Sequence, residues 1–199
     1  MHEMHDGWPH DSEVTQRERL PRVLAFGLSA QGIAGRSANF WFERGHNLEV
    51  RNRRSEAAEA YRMALRILPE FAEAHFNLGN VLRSLGRLNE AQHQFRLAIE
   101  DDPGLSRACY NLADVLEEQC DWAGAARWLE CALRIDPTFA DARFNLARCY
   151  EQLSRMTAAA RQWSIYLNLD PDGEWADVAR QSLRQCGCAR RADLVLRRD

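Results

Sequence analysis

Few residues in this sequence could do chemistry, and their types exclude several reaction classes. All 26 basic residues are arginine, because the chain contains no lysine. A Schiff-base lysine and the lysine of a phosphate-binding P-loop are therefore excluded. No Ser/His/Asp arrangement, glycine-rich phosphate loop or His-Glu-x-x-His motif emerges from the sequence. We predict that the chain is not an enzyme and that it uses no cofactor.

Two groups of potential metal ligands remain, one near each end of the chain. His2, His5 and His10 lie among acidic residues in a polar segment, and Cys186 and Cys188 form a C-x-C pair. A metal site needs several ligands in a fixed geometry, which an unanchored polar segment does not provide. The C-x-C pair has neither a second cysteine pair nor a neighbouring histidine. We predict no metal site, and a redox- or metal-responsive regulatory protein stays open as an alternative function.

The composition is that of a globular protein. Of the 199 residues, 46% are hydrophobic and 28% are charged, and the formal net charge is −3. These values exclude wholesale disorder, and so small a net charge provides no basic field to attract nucleic acid or anionic lipid. No uninterrupted apolar run approaches the roughly 18 residues of a membrane span. We expect no membrane partner and no direct contact with nucleic acid.

The six cysteines favour a reducing compartment. Only Cys186 and Cys188 are close in sequence, so the cysteines do not form the paired framework of a disulfide-rich secreted domain. Residues 23–35 form an uncharged stretch after several arginines, and a targeting role for this stretch stays open. Because the stretch begins late and its apolar core is short, we predict a cytoplasmic protein.

A 34-residue repeat determines the elements that must carry any binding site. Prolines, alanines, large apolar residues and small residues each recur at this spacing. The four columns are Pro69, Pro103, Pro137 and Pro171; Ala57, Ala91, Ala125 and Ala159; Tyr61, Phe95, Leu129 and Trp163; and Gly45, Gly79, Ala113 and Ala147. Apolar residues follow two helical rhythms in each unit. Each unit is therefore predicted to be two closely packed helices, with proline ending the second.

These columns resemble the tetratricopeptide repeat family over residues 38–171. The resemblance implies an all-α, right-handed solenoid of four helix-turn-helix repeats with a C-terminal capping helix. One departure is Tyr166, which stands in the last unit where the family has a small alanine. The predicted organisation is an N-terminal extension (1–37) that is partly disordered with a possible short cap helix, four repeats (38–71, 72–105, 106–139 and 140–171), a capping helix (172–187) and a basic tail (188–199).

Three further expectations concern particular positions. Cys120 occupies the turn place where Gly86 stands one unit earlier, so a left-handed backbone there would be strained. Cys131 is predicted to be exposed on the outer surface. The capping helix is predicted within residues 173–185, on whose apolar face we place Trp175, Val178, Ala179 and Leu183.

The first helix of each unit lines a concave groove in this family, and the resemblance carries that role to the matching positions here. Counted from Ala38, the fifth place of every unit is aromatic and the sixth is asparagine in three units. Asparagine both donates and accepts hydrogen bonds, which suits an extended peptide backbone. The predicted function is a non-catalytic interaction module or scaffold that binds a peptide segment or a partner helix. The predicted groove residues are Phe42, His46, Phe76, Asn77, Asn80, Tyr110, Asn111, Asp114, Phe144, Asn145 and Arg148.

The charge of the groove places predicts the kind of partner. Eight acidic residues stand there against three basic residues, which favours a protein or peptide of neutral to basic character. Chaperone-adaptor members of the family clamp a C-terminal carboxylate with lysine, but Asp141 stands at one of those lysine places. We expect a monomer or a weak homodimer. A second alternative function is an accessory subunit of a transcriptional regulator, which would contact DNA only through its partner.

Overall fold

The repeat in the sequence becomes a repeat of helices in the structure, a computed structural model that describes residues 37–196 and the side chains of residues 37–187. The predicted N-terminal extension up to residue 36, with its three histidines and the uncharged stretch, lies outside the described residues. The helices are α1 (Ala38–Val50), α2 (Arg54–Ile67), α3 (Ala72–Ser84), α4 (Leu88–Asp101), α5 (Ser106–Glu118), α6 (Trp122–Ile135), α7 (Ala140–Gln152), α8 (Met156–Leu169) and α9 (Ala176–Leu196).

The helices form four pairs of equal dimensions. The first helix of each pair has 13 residues and the second has 14. Each helix packs against the helix before it and the helix after it. No strand occurs within residues 37–196. The predicted all-α solenoid of helix pairs is therefore confirmed.

A left-handed residue follows the first helix of every pair and reverses the chain. The φ angle is 55° at Asn52, 73° at Gly86, 61° at Cys120 and 58° at Ser154. Around Cys120, the backbone N–H of Asp121 donates to the carbonyl of Leu116 at 2.8 Å, which completes a hydrogen-bonded helix end. The strained left-handed backbone predicted for Cys120 is thus present, and the same turn recurs in the other three units.

Pairs of small and large side chains bring the two helices of each unit close together. A Cβ atom at Gly45 would lie 2.6 Å from the Tyr61 ring, and one at Gly79 would lie 2.7 Å from the Phe95 ring. Real Cβ atoms do not approach carbon atoms so closely, so glycine is required at both positions. The small-residue column therefore lies beneath the large-residue column, as its spacing predicts.

The last helix covers the end of the fourth pair. Trp163 and Tyr166 of α8 are buried in one cluster with Ala179 of α9. Two residues of the predicted apolar face are instead exposed, Trp175 by 49% and Val178 by 44%. That part of the prediction is wrong, because α9 turns the side that carries Ala179 and Leu183 toward α8, where Ala179 is buried and Leu183 packs against the same cluster. The helix also continues to Leu196, into the segment predicted to be a tail.

The predicted exposure of Cys131 is also wrong. Cys131 is only 3% exposed, and its Sγ atom lies 3.5 Å from the Sγ atom of Cys109. Both cysteines are free thiols. Cys131 belongs to the face of α6 that packs against α5, so the helix turns its thiol inward.

Candidate peptide-binding groove

Hydrogen bonds between side chains join the first helices of the last three pairs. Asn111 Nδ2 of α5 donates to Asn80 Oδ1 of α3 at 2.6 Å. Asn145 Nδ2 of α7 donates to the Tyr110 hydroxyl and to Asp114 Oδ1 of α5, each at 3.1 Å. The structure therefore brings these five predicted residues into one row across α3, α5 and α7. We call the five residues the groove network.

The asparagines of the groove also take part in packing. Asn145 is only 9% exposed. Asn77, Asn80 and Asn111 are half-buried, so part of each side chain still faces solvent. Asn145 thus mainly joins α7 to α5, whereas the other three asparagines keep polar atoms for a ligand.

An ion cluster lies at the centre of the groove network. Arg83 NH1 donates to Asp114 Oδ2 at 2.8 Å, and Arg83 Nε donates to Glu118 Oε1 at 2.6 Å. Burial raises the pKa of the Asp114 carboxyl above its ordinary value, although the Arg83 guanidinium acts in the opposite direction. The single arginine therefore neutralises much of the acidic charge between α3 and α5.

A second acidic position lies one turn further along α5. Cys149 Sγ donates to Glu117 Oε1 at 3.3 Å, and Arg148 NH1 lies 3.8 Å from Glu117 Oε2. Burial raises the pKa of Glu117, and burial together with the nearby carboxylate raises the pKa of the Cys149 thiol. Arg148 itself is exposed, so this predicted groove residue remains available to a ligand.

The aromatic fifth places do not form an open stripe. Phe42 stacks on Phe71 with ring centroids 5.0 Å apart, and Tyr110 stacks in the same way on Phe139 at 4.9 Å. Phe71 and Phe139 close the turns that lead into the following unit. The second aromatic, Phe76, is only 7% exposed. These rings are therefore largely occupied by packing against other aromatic side chains.

Three further groove positions are Phe144, Arg107 and His46. Phe144 contacts Trp163 with ring centroids 4.9 Å apart, which ties it to the core of the last pair. The Arg107 guanidinium lies 5.2 Å above the Phe76 ring, a cation–π contact. His46 is exposed on α1 and contributes no hydrogen bond to the groove network.

Two glutamates at groove places serve a structural purpose that sequence reasoning missed. Glu151 accepts a hydrogen bond from the indole Nε1 of Trp163 at 2.8 Å, and Glu49 accepts one from the Tyr61 hydroxyl. Both pairs are 12 residues apart. The signal was present in the sequence, because a glutamate precedes the large column by 12 residues in both units whose large residue has a polar tip.

Three exposed carboxylates remain at the groove places. Glu43, Glu73 and Asp141 form no ion pair with another residue in the part of the chain that the structure describes. Burial, and to a lesser degree the negative charge of Asp141, raises the pKa of Tyr110 to about 12. Glu43 acts in the same direction on Tyr61. These carboxylates leave negative charge on the groove side of the first helices.

Metal-site and membrane geometry are absent from the described region. No three His, Cys, Asp or Glu side chains of residues 37–187 come together to hold a metal ion. None of the described helices combines the length and apolar character needed to cross a membrane. The Cys188 side chain and the N-terminal histidines lie outside these residues, so the C-x-C and histidine hypotheses stay untested.

Comparison with known protein families agrees with the helix pattern. One tetratricopeptide repeat model matches residues 72–105, and a second tetratricopeptide repeat model matches residues 110–164. The chain therefore contains tetratricopeptide repeats within residues 72–164. The first predicted unit lies outside both matches, yet its helices have the same lengths as those of the other units. Tetratricopeptide repeats are protein–protein interaction modules that are generally non-catalytic.

Solved tetratricopeptide repeat structures share the fold. MamA is 20% identical with a TM-score of 0.71, covering 76% of this chain and 81% of its own. YrrB, described as a TPR protein with an unusual peptide-binding site, is 20% identical with a TM-score of 0.68 and 76% coverage of each chain. PilF of Pseudomonas aeruginosa is 21% identical with a TM-score of 0.64, covering 81% of this chain and 72% of its own. A comparison with curated protein sequences gave no match.

Proposed function

We propose that this protein is a non-catalytic interaction module whose groove binds a peptide segment or partner helix of neutral to basic character. The observation that carries the proposal is the groove network, which joins α3, α5 and α7 into one polar surface. Exposed carboxylates accompany it on α1, α3 and α7. A ligand that lies across these helices would meet hydrogen-bonding groups at its centre and negative charge at its edges.

The middle of the groove network suits a peptide backbone. Asn111 Nδ2 donates one hydrogen to Asn80 Oδ1, and no described residue donates to the side-chain oxygen Oδ1 of Asn111. The side-chain nitrogen Nδ2 of Asn80 likewise donates to no described residue. This bonded pair therefore keeps one acceptor and one donor, and the N–H and C=O groups of an extended peptide need that combination. Asparagine at these positions is thus a reason to propose backbone recognition.

Charge supports a basic ligand over an acidic one. Arg83 forms ion pairs with Asp114 and Glu118, so its positive charge is already balanced within the groove. Glu43 and Asp141 have no such partner among the described residues. Opposite charges across an interface steer association and favour one partner over another, with an effect that salt screens.

Likeness to YrrB adds support of a different kind. That protein is described as having an unusual peptide-binding site, and its fold matches this chain with a TM-score of 0.68. At 20% identity the likeness concerns the fold, so the ligand of YrrB is not carried over to this protein. The likeness of fold supports the view that a stack of helix pairs of this kind offers a surface for peptides.

Fluorescence anisotropy with three synthetic peptides would test the proposal. The peptides share length and apolar content but carry a net positive, zero or negative charge. We expect the positive peptide to bind most tightly, and Glu43→Arg with Asp141→Arg to weaken it several-fold by removing negative charge from the groove. Glu100→Arg, at an exposed glutamate of α4, is the matched control and should leave binding unchanged. Equal affinities for all three peptides, or equal losses in both variants, would contradict the proposal.

A further inference from the structure

Two buried thiols of the third helix pair face each other. Cys109 lies in α5 and Cys131 lies in α6, and their Sγ atoms are 3.5 Å apart. Cys109 is fully buried and Cys131 is 3% exposed. Both are free, so the pair is a dithiol held at van der Waals distance between two packed helices. Nothing in the groove or in the family pattern requires this arrangement.

The environments of the two sulfur atoms are unequal. The hydrogen bond from the Cys109 thiol, and then the nearby Arg134 guanidinium, lower the pKa of Cys131 below that of an ordinary thiol. The Cys109 pKa is raised, first because of the hydrogen bond to Cys131 and then because of burial. The thiolate is the nucleophilic form of cysteine, so Cys131 is the reactive member of the pair and Cys109 is held protonated.

We propose that Cys109 and Cys131 are a peroxide-sensitive pair that closes into a disulfide and cross-links α5 to α6. The Cys131 thiolate attacks one oxygen of hydrogen peroxide, the O–O bond breaks, and hydroxide leaves to give a sulfenic acid at Cys131. The Cys109 sulfur then attacks the Cys131 sulfur. The sulfenic oxygen leaves as water, with the Cys109 thiol proton lost in the same step. In total, two thiols and one peroxide molecule give one disulfide and two water molecules.

Little movement is needed to close this bond. The sulfur–sulfur distance must fall from 3.5 Å to the roughly 2 Å of a disulfide. The two helices already pack against each other as one unit, which keeps the two sulfur atoms close. The sulfenic acid would be short-lived, because the second thiol lies directly beside it.

The other cysteines of the described region have no second thiol beside them. The Cys149 thiol donates to the Glu117 carboxylate at 3.3 Å, and its pKa is raised. Burial and the nearby Glu151 carboxylate raise the pKa of Cys186 to about 11. Both of these thiols face a carboxylate and not a second sulfur. Cys120 is exposed on a turn, where it can react between molecules but faces no partner cysteine. Oxidation should therefore select the Cys109–Cys131 pair within one chain.

Peptide mapping of the full-length protein after treatment with hydrogen peroxide tests the proposal. The expected result is a monomer about two mass units lighter, with a Cys109–Cys131 linked peptide that dithiothreitol removes. The oxidised protein should melt several degrees higher than the re-reduced protein, because a cross-link restricts the unfolded chain. Both thiols remaining open to alkylation after denaturation, or Cys131 ending as a sulfinic acid, would overturn the proposal.

Two variants separate the pair from the exposed thiol. Cys120→Ser should retain the linked peptide and lose any peroxide-dependent dimer. Cys131→Ala should lose the linked peptide and leave Cys109 reduced, since Cys109 alone is buried and protonated. If the Cys131 variant does not fold, the mapping of the Cys120→Ser protein decides the question alone. A disulfide there that joins Cys109 to any other cysteine would also overturn the proposal.

Discussion

Single residues fix the distance between the two helices of each unit through a match of sizes. In the second unit Gly79 lies beneath the ring of Phe95, with no room for a Cβ atom. The third unit has the larger Ala113 at the same place and the smaller Leu129 opposite, and both are fully buried. In these two units the larger residue of the small column therefore faces the smaller residue of the large column, whereas the fourth unit pairs Ala147 with Trp163.

This match predicts a compensating pair of substitutions. Gly79→Ala alone should lower the free energy of unfolding by about 1–3 kcal/mol, because the new methyl group meets the Phe95 ring. Adding Phe95→Leu recreates the pair of the third unit and should recover part of the Gly79→Ala loss. Urea unfolding of the two single variants and the double variant forms a complete cycle. Additive losses, with no recovery in the double variant, would show that the two residues do not share one contact.

The buried carboxylate of Glu117 predicts a pH dependence. Its pKa is raised mainly by burial, so the folded protein holds this proton more tightly than the unfolded chain. The stability contributed by protonated Glu117 is full below the unfolded pKa and is lost as the pH rises through the higher folded pKa. Glu117→Gln stays neutral and does not suffer this loss. The unfolding free energy of the variant, relative to the parent protein, should therefore rise as the pH rises above the ordinary pKa of a glutamate, about 4.3. A difference that is flat or falls with pH would refute the prediction.

The sequence predicts the packing columns better than it predicts the groove. Repeated spacing assigns Gly79 and Phe95 to one contact, because each column must return to the same place in every unit. It assigns Asn145 to the groove too, but not its burial or its bonds to Tyr110 and Asp114. Those depend on which side chains of the adjacent unit are long enough to reach, and a single column does not contain that information.

At the scale of elements, the turn after each first helix departs from its ideal residue in three of four units. Only the second unit places glycine at the left-handed position, and the others use Asn52, Cys120 and Ser154. A side chain with a Cβ atom strains this backbone, although asparagine tolerates it better than most residues do. The four turns thus have the same geometry but differ in the backbone strain that their residues carry.

Cys120→Gly should relieve that cost in the third unit. We expect a gain of about 0.5–1 kcal/mol in unfolding free energy. Glycine removes the left-handed strain of the folded chain, but part of that gain is lost because glycine also gives the unfolded chain more conformational freedom. Cys120→Ala is the matched control, since it removes the thiol but keeps the strain, and it should give no gain. Chemical unfolding under reducing conditions measures both variants. Equal stabilities of the glycine and alanine variants would mean that the turn is not strained.

The last helix shows where a helical pattern misleads. Trp175 and Val178 are the most apolar residues near its start, yet they are exposed, and Ala176 and Ala179 are buried instead. Ala179 and Cys186 share a buried cluster with Tyr166, a bulky residue in a column of alanines, and Leu183 packs against the same cluster. The departure at Tyr166 was visible in the sequence, but its effect on the neighbouring helix required the packing itself.

Removal of the last helix tests its role as a cap. A chain that ends after Pro171 would expose the part of the α8 surface around Tyr166 that α9 covers, because Tyr166 and Ala179 share one buried cluster. We expect a lower melting temperature and association into larger species, since terminal units of a solenoid need a covered face. Light scattering during a thermal melt records both effects. A truncated chain that stays monomeric and melts with the parent protein would show that α9 does not cap the solenoid.

At the scale of the whole molecule, one period produces both the scaffold and the surface that we propose for binding. The packing columns repeat at 34 residues, and so do the asparagines at positions 77, 111 and 145. A solenoid places such positions on one side of consecutive units, and for this reason a sequence repeat becomes a row of functional groups. We propose that the exposed part of this row, together with the exposed carboxylates around it, contacts a partner.

Carboxyl footprinting with the positively charged peptide bound tests that claim most directly. A water-soluble carbodiimide and an amine label exposed Asp and Glu side chains, and mass spectrometry reports the labelled fraction at each residue. We expect the peptide to lower labelling at Glu43, Glu73 and Asp141 and to leave labelling at Glu100 on α4 unchanged. Protection of Glu100, with no protection of the other three carboxylates, would place the binding surface outside the groove and contradict the proposed function.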